Sequence, residues 1–290
     1  EFDSFKQGAI SVVADARETL KELNKLLSTY KVSSSYSATV KKYNSEWDKT
    51  VSRIYAVSGD LPVRQAEIIG AVNGFSSPKD IVVCAAGSLP GDLHKLWRTQ
   101  DCKSFHLEYG YSCMGYEIAG GLGAKMADPS REVFVMVGDG SYLLMSQEII
   151  TSIQEGYKLS IILINNNGFA SIGGLSASLG TKGFGTAYKY RNQKTGQLDG
   201  KVLPVDLADN AESLGAVVFR TKTIEEFKQA LIKSKQELGT TVIYIESDPG
   251  KRVDGYTWWE VPLAQVATAA SVRESFEQLK TNKKKQRHHL

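Results

Sequence analysis

The feature that most constrains this chain is a series of short apolar runs that do not alternate with polar residues. They are "DIVVCAAG" at 80–87, "EVFVMV" at 132–137, "LSIILI" at 159–164, "AVVFRT" at 216–221 and "TTVIYIES" at 240–247. A strand with one face in water alternates. A strand apolar at nearly every position is covered on both faces, as in a parallel sheet between two layers of helices. Helical stretches separate the runs: 62–75, the small-residue stretch 114–127, and "SYLLMSQEIITSIQEG", closed by Gly156. Another lies at 207–214, ending at Gly215, and a last one is opened by a T-x-x-E box of Thr223 and Glu226. The expected fold class is α/β, a doubly wound parallel sheet flanked by helices.

Four regions are expected along the chain. Residues 1–35 read as the end of a preceding (middle) domain, with a strand at "AISVVAD" (9–15) and a helix begun by an Asp15–Glu18 capping box. The polar, Ser-rich stretch at 36–50 reads as a linker. Residues 51–250 form the ligand-binding domain, and 251–290 a C-terminal extension with a basic tail, "KTNKKKQRHHL". Within that extension "GYTWWEVPLAQVA", with Trp258 and Trp259, reads as a clamp onto the rest of the chain or a partner. The segment 168–200 carries eight glycines and no periodicity, and is expected to be an irregular functional loop.

Composition narrows the function. No run of about eighteen apolar residues is present to span a membrane. A net charge of +3 sits largely in the tail, which reads as a solvated terminus and not as a nucleic-acid surface. Cys84, Cys102 and Cys113 include no CxxC pair, so neither a zinc site nor a disulfide framework is indicated. A reduced, cytoplasmic protein is expected.

Two of the apolar runs end alike. "VFVMVGDG" (133–140) and "IILINNNG" (161–168) both stop at small residues bearing carboxylate or amide oxygens. Ligands of open parallel sheets bind beyond the carboxyl ends of the strands, so Asp139 and Asn166 should face one edge together. Gly138 and Gly140 let backbone amides approach an anion, and a helix beginning at Ser141 would turn its positive end there. The negative charge of Asp139 fits an anion only with a hard cation between them. Mg2+ accepts such a set: Asp139 and Asn166 oxygens, a carbonyl at Asn167–Gly168, phosphate oxygens and water. A lone GDG is more often an ordinary strand-to-helix turn with Asp as N-cap; it is the NNN-G at a matching strand end that turns the reading toward a site. "GGLGAK" (120–125) falls inside a helix and is better explained by close helix packing than by dinucleotide binding.

GDG, a spacer of 24 residues and NN together resemble the diphosphate-and-magnesium motif of the thiamine-diphosphate-dependent enzymes, over roughly residues 50–250. The resemblance implies thiamine diphosphate and Mg2+ as cofactors. It casts Asp139, Asn166 and the Gly168 carbonyl as metal ligands, and Gly138, Gly140 and Ser141 as diphosphate contacts. Gly87, Ser88 and Leu89 become the turn holding the terminal phosphate. Met114 becomes the apolar wedge between the cofactor's two rings, with its amide and the Ser112 carbonyl facing the aminopyrimidine.

Within that superfamily, "GSLPGDLHKLW", "HLEYGYSCMGYEIAGGLGAK" and "WWEVP" look most like the hydrolases that open trihydroxycyclohexane-1,2-dione to 5-deoxy-glucuronate in myo-inositol breakdown. The implied partner is then a cyclic polyhydroxy diketone, the implied reaction C–C hydrolysis, and the implied assembly a homo-oligomer. The activating glutamate of such enzymes lies in a first domain, so the expectation is a C-terminal portion of a longer enzyme, inactive alone. His94, His106 and Glu108 stand nearest the cofactor loops in sequence, as groups that orient a substrate hydroxyl or activate water. Two alternatives stay open: an acetolactate-synthase-like carboligase or decarboxylase, and a non-catalytic diphosphate-binding module.

Overall fold

The computed structural model describes residues 2–255 and 262–286. The chain divides into two compact units, Glu1–Thr50 with Pro262–Leu290, and Val51–Val261. The larger unit holds a six-stranded, wholly parallel sheet: β1 (Ile81–Cys84), β2 (Phe105–Leu107), β3 (Val133–Gly138), β4 (Ser160–Asn165), β5 (Val217–Thr221) and β6 (Thr241–Glu246). Their order across the sheet is β2-β1-β3-β4-β6-β5. The four interior strands are almost entirely buried, as their unbroken apolar composition requires.

One core cluster joins alternate residues of β3 and β4, such as Val135 and Ile161, to Ile118 and Leu122 of the helix Tyr116–Ala127. That helix packs closely because Gly121 has no side chain: a Cβ there would stand 2.3 Å from Val135 Cγ2. This is the close packing expected of "GGLGAK". The Thr223–Glu226 capping box opens the helix Ile224–Gln236 as read.

Four expectations fail locally. Residues 9–15 are not a strand: Ile10, Val12 and Val13 are exposed, and an isolated extended segment has no ladder to join. The helix after Asp15 is present, as Ala16–Leu26. The Ser-rich stretch at 36–50 is no irregular linker but part of a helix, Ser34–Ile54. Tyr36, Val40, Tyr43, Trp47 and Val51 recur there at helical spacing, a periodicity its polar composition masks. The expected helix over 141–156 is two, Asp139–Tyr142 and Glu148–Gln154. The irregular loop after Gly168 opens with a helix, Ala170–Ser178. Strand β2 was not legible, being three residues long. Trp258 and Trp259 lie outside the described residues. The tail begins on a helix, Ala270–Lys283.

Candidate cofactor site

The strand order sets β1, β3 and β4 side by side, so the turns after them open together on one edge. The chain reverses direction across the sheet between β1 and β3, the place where open sheets form a ligand crevice. A cleft there is lined by Gln65, Gly87–Leu89, Met114, Gly138–Ser141, Asn166 and Gly168 to Ile172. Every cofactor-facing residue expected from the sequence lies on this cleft except Ser112.

After β1, Gly87 has φ 105° and begins the helix Ser88–Leu96 with no side chain capping its amides. After β3, Gly138–Ser141 turn directly into a helix of only four residues. The helix begins at Asp139, two residues before the expected Ser141, and is so short that its dipole is small. Whatever favours an anion at this turn must be exposed amides or a bound cation.

Asp139 is buried, and its Oδ2 accepts a hydrogen bond from Gly168 N at 2.7 Å. Burial raises its pKa to about 6, against 3.8 for the free side chain, although several backbone amides pull the other way. The three asparagines that close β4 divide the work. Asn165 is a brace, with Nδ2 donating to Tyr244 Oη (2.7 Å) and Oδ1 accepting from Asn167 N (2.9 Å). Asn167 takes a left-handed φ of 60°, which turns the chain between Asn166 and Gly168. Asn166 Oδ1 is buried with no hydrogen-bond partner. An acceptor buried unpaired costs on the order of 1–3 kcal/mol, which a cation or a donor would relieve.

Gly140 meets Phe169 and Met114 so closely that an added Cβ would lie 2.8 Å from one ring carbon and 3.3 Å from Met114 Cε. Met114 is preceded by Ser112, whose φ of 56° is uncommon for any residue but glycine. Strained backbone of this kind marks both turns that would embrace a ligand.

The groups singled out for substrate are already engaged. The ring of His94 meets Phe105 and Tyr109 edge-on at 5.9 and 5.0 Å. His106 Nε2 shares a 2.7 Å hydrogen bond with Tyr116 Oη. The Glu108 carboxylate accepts from Tyr111 N and Cys113 N, bonds that hold its pKa below the usual range.

Three site residues escaped sequence reasoning. Glu117 is fully buried, and burial raises its pKa despite amide hydrogen bonds. The nearby Ser141 hydroxyl favours its charge without forming a hydrogen bond of good geometry. Phe169 covers Gly140. Tyr188 donates its amide to Asn167 O at 3.0 Å and meets Phe169 edge-on, while its hydroxyl is buried without a partner. Burial raises the Tyr188 pKa, and the Asp139 charge adds to the effect. A tyrosine inside a glycine-rich segment carries no signal of that role.

Among the described residues no group of three His, Cys, Asp or Glu side chains is assembled to hold a metal, and no helix is long and apolar enough to cross a membrane.

The chain is 38% identical to the 3D-(3,5/4)-trihydroxycyclohexane-1,2-dione hydrolase of Clostridium botulinum, over 97% of this chain and 47% of that protein. It is 37% identical to 3D-(3,5/4)-trihydroxycyclohexane-1,2-dione hydrolase 1 of Bacillus cereus, over 97% of this chain and 48% of that protein. It thus spans about half the length of the curated relatives it matches. A solved structure, the Rhodococcus jostii RHA1 thiamine diphosphate-dependent 4-hydroxybenzoylformate decarboxylase, superposes with a TM-score of 0.56 at 21% identity, covering 67% of this chain and 34% of that one. At that identity the likeness is one of fold. The family model that matches residues 85–245 is that of the thiamine pyrophosphate enzyme, C-terminal TPP binding domain. That match takes in the three turns that line the cleft, strands β2 to β5 and all but the last residue of β6, and the chain belongs to the thiamine pyrophosphate enzymes through their C-terminal TPP-binding domain.

Proposed function

We propose that the cleft binds the diphosphate of thiamine diphosphate together with Mg2+, as the cofactor half of a hydrolase acting on a C–C bond of a cyclic polyhydroxy diketone. The observation that carries this reading is the pairing of a buried carboxyl, Asp139, with an unpartnered buried amide oxygen, Asn166 Oδ1, on turns of adjacent strands. Donors of this kind suit Mg2+, which takes hard oxygens and keeps room for phosphate and water. A single carboxylate neutralises half the charge of the ion, so metal and diphosphate should bind together and each weakly alone.

The residues present fit the group. Asp139, Asn166 and the Gly168 carbonyl would hold the metal. Uncapped amides at Gly87–Leu89 and the turn Gly138–Ser141 would hold the phosphates. Met114 would support the rings; Ser112 lies off the cleft and is given no contact. Thiamine diphosphate supplies, when bound, a carbon nucleophile able to cleave bonds next to a ketone. This chain's contribution is to bind and orient the diphosphate. The choice of a cyclic dione as substrate is supported by the relatives, both trihydroxycyclohexane-1,2-dione hydrolases.

Two further parts of the reading are a reducing, cytoplasmic setting and a homo-oligomer. The first is supported by the three cysteines, all unpaired. The second is supported by Leu143 and Leu144, exposed beside the GDG turn.

The test is calorimetric titration of the chain with thiamine diphosphate, with and without Mg2+, followed by competition with ATP and NAD. Mg2+-dependent binding that neither nucleotide displaces is expected. Equal displacement by ATP would indicate a general anion site and overturn the assignment.

A further inference from the structure

We infer that Glu108 and Glu117 are positioning residues for Met114, their carboxylates holding the backbone on either side of it. The inference rests on the thiamine diphosphate reading above, because Met114 acts as a wedge only toward a bound two-ring cofactor.

Both residues flanking Met114 give their amides to a glutamate. Cys113 N donates to Glu108 Oε2 at 2.8 Å, and Gly115 N donates to Glu117 Oε2 at 3.1 Å. Each carboxylate uses its second oxygen to tie this segment further. Glu108 Oε1 accepts from Tyr111 N at 3.2 Å, closing a turn in which Ser112 is held at a left-handed φ of 56°. Glu117 Oε1 accepts from Ala86 N at 3.3 Å, in the turn after β1 that leads to Gly87 and Ser88. Residues 108–117 are therefore stapled to themselves at one end and to the phosphate turn at the other, with Met114 between the staples.

The side-chain type matters. A carboxylate is acceptor-only and can serve two amides at once. A glutamine in its place would accept with one oxygen and turn its own N–H groups toward an amide donor. Glu117 also carries a desolvation cost, shown by its raised pKa, which a purely apolar helix start would avoid. Glu108 is only half-buried and sits outside the core, so its two amide bonds organise the loop and not the sheet. The left-handed Ser112 is the strained element they hold in place. Its carbonyl and the Met114 side chain leave the same short turn.

The experiment compares two ligands, each with Mg2+: thiamine diphosphate, which reaches Met114, and inorganic pyrophosphate, which does not. Affinities are measured by calorimetry on the chain and on its E108A, E108Q and E117Q variants. For E108A we expect roughly tenfold weaker binding of thiamine diphosphate, with pyrophosphate unchanged within about twofold. E108Q keeps one acceptor and should fall between E108A and the parent chain. E117Q should weaken both ligands, since Ala86 belongs to the phosphate turn. Thermal unfolding of E108A close to that of the parent separates positioning from a general loss of structure. E108A that binds thiamine diphosphate as the parent does, or loses both ligands equally, overturns the inference. A parent chain that binds neither ligand refutes the cofactor reading itself, and the inference falls with it.

Discussion

Replacing Asp139 with asparagine should make the metal-free protein more stable while removing its function. The carboxyl is 1% exposed, and burial lifts its pKa to about 6 from 3.8. Each pKa unit is worth about 1.4 kcal/mol, so at neutral pH the buried charge costs on the order of 3 kcal/mol. The sign follows from linkage. The folded pKa lies above the unfolded one, so the unfolded chain gives up this proton more easily. Stability therefore falls as pH rises from about 4 to about 6, and the full cost persists above that range. Below about pH 4 both states are protonated and the cost vanishes. Asparagine carries no charge, yet it keeps an oxygen to accept from Gly168 N. Urea unfolding in the presence of a chelator should then show D139N more stable than the parent by about 1–3 kcal/mol at pH 8, with the gap closing by pH 4. Calorimetry should show no Mg2+-dependent diphosphate binding in the variant. A variant no more stable than the parent at pH 8, or a gap that does not change with pH, would refute the reasoning.

Three other perturbations follow from the geometry. Asn166→Leu removes an unpartnered oxygen, so titration should show at least tenfold weaker Mg2+-dependent thiamine diphosphate binding with little change in unfolding free energy. Gly121→Ala drives a Cβ to within 2.3 Å of Val135 Cγ2; an overpacking cost of about 1–3 kcal/mol should outweigh about 1 kcal/mol of better helix propensity, which denaturant titration will measure. Limited proteolysis within 169–200 should slow when thiamine diphosphate and Mg2+ are added, because Tyr188 N donates to Asn167 O and ties this segment to the turn that carries Asn166; identical cleavage in both conditions counts against it.

The sheet was legible because each interior strand is apolar on both faces, and that composition has few other uses. That Asp139 and Asn166 line one cleft was legible because they follow those strands directly, so finding the strands located the side chains. Residues 36–50 misled because serines hid a helical stripe of aromatics and valines. Strand β2 was missed because three residues give no periodicity to read. The long helix expected after Asp139 is two short ones, with Tyr142 wholly buried and its hydroxyl donating to Asn210 Oδ1 at 2.8 Å, a tertiary contact that local pattern does not report. Glu117 and Tyr188 were invisible for the same reason, since their importance lies in what they touch across the fold. His94, His106 and Glu108 show the converse. Proximity in sequence to a cofactor loop suggested reactive groups, and the structure gives each of them a partner.

The position of β2 at the rim of the sheet has a consequence for how the cleft comes apart. Strands β1, β3 and β4, which carry the turns proposed for phosphate and metal, each have a neighbour on both sides, whereas β2 is paired only with β1. Transient opening starts at margins with few bonds, so β2 should detach before the interior strands do. Glu108 follows β2 immediately, and its release would free the Met114 segment while Asp139 and Asn166 stayed in register. The cleft thus has a durable half, around Asp139 and Asn166, and a yielding half, around Met114. Amide hydrogen exchange would read that boundary as fast exchange at 105–113 beside slow exchange at 133–138 and 160–165.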